Sequence, residues 1–101
     1  MERRTASRQE VWFPMRLETM VGGERLAVSR NMSRTGLLMA AATLLEVGAP
    51  VKITYRGAAE GTAERTIAGR IVRFETNTDD PDGLWPYMVA VEFSDPLPEE
   101  P

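Results

Sequence analysis

Apolar and polar positions alternate with a period of two over most of the chain, and that period predicts strands. Residues 1–10 are polar and aperiodic and read as a flexible arm. Over 11–20, Met15 and Leu17 fall on one face and Arg16 and Glu18 on the other, the pattern of a half-buried strand with Pro14 at its start or on an edge. Gly22 and Gly23 mark a hairpin turn, because they supply the positive φ that such turns need. Residues 25–29 alternate again with Leu26 and Val28 inward, 30–35 is a polar loop, and 36–42 is a short buried strand. Residues 44–48 are expected to make one helical turn, ended by Gly48 and Pro50. Val51, Ile53 and Tyr55 then alternate with Lys52, Thr54 and Arg56.

The next strand, 65–75, places Ile67, Gly69, Ile71 and Arg73 on one face and Ala68, Arg70, Val72 and Phe74 on the other. A long polar turn over 76–83 leads to a last strand, 87–93, with Tyr87, Val89, Val91 and Phe93 on one side. Residues 95–101 are rich in proline and acid and are expected to fray. Six strands at roughly 8- to 12-residue spacing indicate an all-β sandwich or barrel. One domain over 1–101 is expected: an arm (1–10), a β-barrel (11–94) and a frayed tail (95–101).

Composition narrows the chemistry. The 101 residues are 43% hydrophobic and 27% charged, an ordinary globular balance. With no Cys there is no thiolate nucleophile, and with no His the commonest general base and metal ligand is missing. Serines and threonines are left without a base, Lys52 being the one lysine. Asp79, Asp80 and Asp82 lack the spacing of a calcium loop, and no phosphate-binding glycine loop is present. No catalysis, metal or cofactor is expected. The longest apolar run, 37–42, is far shorter than the ~20 residues a spanning helix needs. The N-terminus has no apolar signal-peptide core, so a cytoplasmic location without membrane insertion is expected.

Charge is divided unevenly. Residues 1–36 hold seven arginines against four glutamates, whereas the remainder carries five basic and eleven acidic residues. Arginine suits bidentate contact with phosphate and stacking on flat rings. Two constellations stand out. Arg3, Arg4 and Arg8 sit in the arm directly before the first strand. Asn31, Ser33 and Gly36 occupy a loop between strands, where Asn and Ser side chains hydrogen-bond a base edge or phosphate, and Gly36 permits a φ other residues resist and lets a ligand approach the backbone.

Arg-x-x-x-Arg (Arg4, Arg8) followed by Asn-x-Ser-x-x-Gly (Asn31, Ser33, Gly36) resembles the PilZ family, bacterial receptor domains for the second messenger cyclic di-GMP. Val47 to Ile53, Gly69 to Arg73 and Val89 to Phe93 also look like the family pattern, with Ala90 where a glycine is frequent. The resemblance implies a six-stranded antiparallel Greek-key-like barrel with a flexible N-terminal arm, binding cyclic di-GMP on its outer surface. It implies that the arm arginines contact phosphates and stack on guanine while the Asn-x-Ser-x-x-Gly loop holds a guanine edge. Arg3, just before the motif, implies an intercalated pair of ligands per chain, with signalling to a downstream protein by ordering of the arm. A ligand-independent adaptor for pilus or flagellar function is the alternative. Binding of a nucleic-acid polymer would use Trp12, Phe13 and Trp85, but the acidic C-terminal half argues against it.

Overall fold

The computed structural model describes residues 9–10, 13–19, 23–56, 63–79 and 82–97. Its strands are β1 (Gln9–Glu10), β2 (Pro14–Thr19), β3 (Glu24–Met32), β4 (Gly36–Ala41), β5 (Pro50–Arg56), β6 (Glu64–Thr76) and β7 (Tyr87–Phe93). The sheet runs β3-β2-β5-β6-β7-β4, and pairing of β4 back onto β3 closes it. Six antiparallel strands therefore form a barrel, with the two-residue β1 added beside β3. Strands β2, β3 and β4 follow one another, and the crossover 42–49 returns the chain so that β5 lies beside β2. That order is a Greek key. Closure leaves no long unpaired edge to template association.

Alternation builds the core as expected on β2, β5 and β7. Met15, Leu17, Ile53, Val89, Val91 and Phe93 point inward and are buried, with Met39 and Ile71 completing the centre. Burying such side chains contributes about 1.5–3 kcal/mol each. Phe13 stacks on Tyr55 at 5.2 Å between ring centroids and caps this core. The Arg16–Glu64 ion pair, 2.7 Å long, lies on the exposed outer face and is worth at most about 1 kcal/mol.

Five expectations are corrected. On β3 the inward positions are Ala27 and Ser29, while Leu26 stands out in solvent at 61% exposure. The large side chains come from the neighbouring strands, Ala27 pairing with Met15 on β2 and Ser29 with Met39 on β4. Ser29 tolerates full burial because its hydroxyl accepts the Phe13 N–H at 3.0 Å and its own N–H donates to the Phe13 carbonyl at 2.9 Å. A bulge between Ser29 and Asn31 then resets the phase, so Met32 is buried and β3 runs through residues expected to be loop.

A second bulge, between Ile71 and Arg73, leaves Val72 and Arg73 both outside and brings Phe74 opposite Val89, against Tyr87. No helical turn forms over 44–48. Instead Ala49 N–H donates to the Glu46 carbonyl at 3.1 Å in a turn whose Gly48 has φ 92°. Finally, the tail is not frayed at Leu97, which is buried in the core, while 98–101 lie outside the described residues.

Candidate functional site

The chain reverses between β3 and β4 through three residues, Ser33, Arg34 and Thr35, with Arg34 and Thr35 at the tip. Ser33 N–H donates to the Gly36 carbonyl at 2.9 Å and closes the turn. The Ser33 hydroxyl organises it further: Thr35 N–H donates to Ser33 Oγ at 3.3 Å, and that oxygen lies 3.3 Å from Thr35 Oγ1 and 3.4 Å from the Gly36 carbonyl oxygen. Ser33 is 5% exposed, so the hydroxyl serves the turn before it serves anything outside it.

Gly36 is required for a reason other than the expected one. Its φ is not in the left-handed region, where only Gly23 and Gly48 are found among the described residues. A Cβ at Gly36 would lie 2.5 Å from the Val91 carbonyl oxygen, inside van der Waals contact. The missing side chain lets β4 press against β7, opposite Glu92. The expected approach of a ligand to the backbone is taken up here by a neighbouring strand.

Asn31 belongs to β3, not to the loop, and pairs with Leu38 on β4, which pairs in turn with Ala90 on β7. Asn31, Leu38 and Ala90 form a half-buried row across the outer face of the barrel. Beside this row Arg30 reaches Met88, its guanidinium 3.7 Å from the sulfur, above the buried Ala40. The outer surface under the candidate site is thus small or apolar, edged by the polar Arg30 and Asn31.

Arg3, Arg4 and Arg8 lie outside the described residues, as does Trp12. What the backbone does show is where their segment joins the barrel. β1 pairs with β3 in the register Gln9↔Met32 and Glu10↔Asn31. Arg8 is therefore one covalent step, about 3.8 Å between Cα atoms, from a residue opposite Met32. β1, which follows the arginine motif directly in sequence, thus pairs with the strand that carries Asn31.

The turn is also gripped from behind by the end of the chain, a feature alternation does not reveal. Phe93 N–H donates to the Thr35 carbonyl at 2.9 Å and Leu97 N–H to the Arg34 carbonyl at 2.7 Å. Arg34 answers with its Nε–H on the Leu97 carbonyl at 2.8 Å.

A cleft of about 770 Å³ lies elsewhere, at the far end of β4, lined by Arg25, the 43–50 segment and Ile71. Its walls are mostly apolar, with Thr19, Arg25, Thr43 and Glu46 as the polar side chains, and it does not touch Asn31, Ser33 or Gly36. No group of three or more metal-ligating side chains is assembled among the described residues. No helix among them is long and apolar enough to cross a membrane.

A family model described as the PilZ domain matches residues 2–101. Among solved structures, the chain is similar to the Bacillus subtilis inhibitor of motility MotI/DgrA, with a TM-score of 0.77 at 16% identity. That match covers 97% of this chain but 46% of MotI/DgrA, so the chain spans about half of that protein's length. It is also similar to the PilZ domain of CeSA from a cellulose-synthesizing bacterium, with a TM-score of 0.62 at 18% identity, covering 88% of this chain and 82% of that one. No curated protein matches it in sequence. At these identities the solved structures speak for the fold.

Proposed function

Because the chain belongs to the PilZ domain family, we propose that it is a receptor domain for cyclic di-GMP, a binding and effector module and not an enzyme. One observation supports the reading: β1, which follows the arginines directly in sequence, pairs with the strand that holds Asn31. A ligand with two phosphates and two guanines needs cationic donors and a base-edge partner on one surface, and this junction supplies both. The half-buried row of Leu38 and Ala90 beside Asn31 offers flat purines a floor without protruding side chains.

In this reading Arg4 and Arg8 contact phosphate and stack on guanine, and Asn31 holds a guanine edge. Ser33 and Gly36 keep the turn in shape. Arg3 adds a third guanidinium, enough to cover a further guanine face, so two intercalated ligands bind per chain and Arg3→Leu shifts the ratio toward one. Ligand binding orders the arm against the barrel in the cytoplasm, and a downstream protein reads the change. A second reading, a ligand-independent adaptor for pilus or flagellar function, draws on the exposed Leu44 and Val47 beside the cleft and on the fold shared with an inhibitor of motility.

Calorimetric titration separates these readings. The receptor reading expects saturable binding of cyclic di-GMP at two molecules per chain and none of single-stranded oligonucleotides. Absence of cyclic di-GMP binding favours the adaptor, and oligonucleotide binding in its place overturns both.

A further inference from the structure

Within the turn, the side chain of Arg34 is held in an unusual way. Its Nε–H is committed to the Leu97 carbonyl at 2.8 Å, while Leu97 N–H returns to the Arg34 carbonyl at 2.7 Å. These partners are 63 positions apart, and Leu97 is anchored by its buried side chain. One end of the planar guanidinium is therefore fixed to the barrel.

The other end is not used. The terminal nitrogens of Arg34 have no partner among the described residues, and Arg34 is exposed. Three other arginines on the barrel surface differ, whereas Arg25, like Arg34, donates to a backbone carbonyl, that of Glu24. Arg16 is paired with Glu64, Arg70 with Glu92 and Arg73 with Glu75, so a carboxylate offsets the charge of each. A backbone carbonyl orients the Arg34 cation without neutralising it. With the Ser33 hydroxyl turned into the turn, Arg34, Thr35 and Asn31 are the polar side chains this hairpin end presents outward, and Arg34 is the one cation among them.

Resting on the receptor reading, we propose that Arg34 is a further ligand-contacting residue and that the tail positions it through Leu97. A guanidinium donates and never accepts, so it fits an acceptor-only edge of cyclic di-GMP, either a phosphate or the O6/N7 edge of guanine. Because the Nε–H bond already restricts the side chain, less rotamer freedom is lost when the ligand arrives. Arg34 also ties the occupied site to the C-terminal segment, so ligand affinity and tail docking are linked in both directions.

The test uses calorimetry with cyclic di-GMP on the full chain. Arg34→Gln is expected to weaken binding about ten- to a hundredfold, with the ligand-free Tm lowered only by the few degrees that one lost hydrogen bond costs. Arg34→Lys, which keeps the charge without the fork, recovers part of that loss. A shallower salt dependence in Arg34→Gln assigns the contact to phosphate, and an unchanged one to the guanine edge. Leu97→Ala, which loosens the anchor and leaves Arg34 in place, weakens binding several-fold in the wild type and not at all in the Arg34→Gln background. Wild-type affinity in Arg34→Gln overturns the contact, and additive losses in the double variant overturn the positioning by the tail. A wild type that fails to bind at all overturns the receptor reading and this inference together.

Discussion

The two ends of β4 are built by opposite means. At its start, a three-residue turn is closed by Ser33, pressed against β7 through Gly36 and held from behind by Phe93 and Leu97. At its far end, the 42–49 crossover spans the barrel mouth with a single turn, leaving Leu44 at 70% and Val47 at 58% exposure beside an open cleft. Leu45 and Ala49 tether it by partial burial. The first end fixes polar groups in place, which recognition of a charged, hydrogen-bonding ligand requires. The second offers apolar surface with few fixed donors, which suits contact with a protein. In the proposed reading, ligand recognition and output would have separate places on one small barrel.

Substitutions at each end sharpen that contrast. The largest effect is expected at Gly36. Gly36→Ala puts a methyl group against the Val91 carbonyl oxygen and should cost about 1–3 kcal/mol. For a domain of this size that corresponds to a fall in Tm of roughly 4–8 °C per kcal/mol, read by thermal denaturation. Gly48 has open space around it and is constrained only by its φ. Gly48→Asn, which tolerates the left-handed region, should therefore melt closer to the wild type than Gly36→Ala does.

Next in size, Asn31→Ala should weaken cyclic di-GMP binding about tenfold with little change in Tm, since the side chain lies on the outer face. If that variant binds normally and melts much earlier, Asn31 is a structural residue of β3. Leu44→Ser and Val47→Ser should leave both the binding and the unfolding free energy within about 0.5 kcal/mol of the wild type, because both side chains are exposed.

The smallest expected effect is alkaline and lies in the core. Burial raises the Tyr55 pKa above 10.0, opposed by the nearby Arg65. The folded state thus holds the phenolic proton longer than the unfolded chain. The stabilisation is present in full below the unfolded value and is lost as pH rises through the folded one. Tyr55→Phe should flatten that alkaline limb in denaturation curves, and an unchanged limb would place its cause elsewhere.

Alternation made β2, β5 and β7 legible because large apolar side chains line their inward faces, Met88 on β7 being the one that faces out. It misled on β3, where small Ala27 and Ser29 take the inward positions and Leu26 points to solvent. Residue size does not report facing when the opposite strands supply the bulk, and a serine reads as polar until its bond to Phe13 is seen. Bulges at 29–31 and 71–73 shift the phase without leaving a mark in the pattern. The candidate site was legible as two motifs, since Asn31, Ser33 and Gly36 do share one hairpin end. The grip of Arg34 on Leu97 was not, because a contact over 63 positions leaves no local periodicity. The backbone reason for Gly36 was hidden in the same way, since it depends on how closely β7 approaches.

Calorimetric titration of cyclic di-GMP into the wild type, Arg4→Ala and Arg8→Ala tests the central claim most directly. Each arginine is assigned a charge-assisted phosphate contact worth about 1.5–3 kcal/mol, so each variant should bind about one to two decades more weakly while melting like the wild type. Wild-type affinity in both variants would contradict the claim that the arm and the β3–β4 turn form one ligand site.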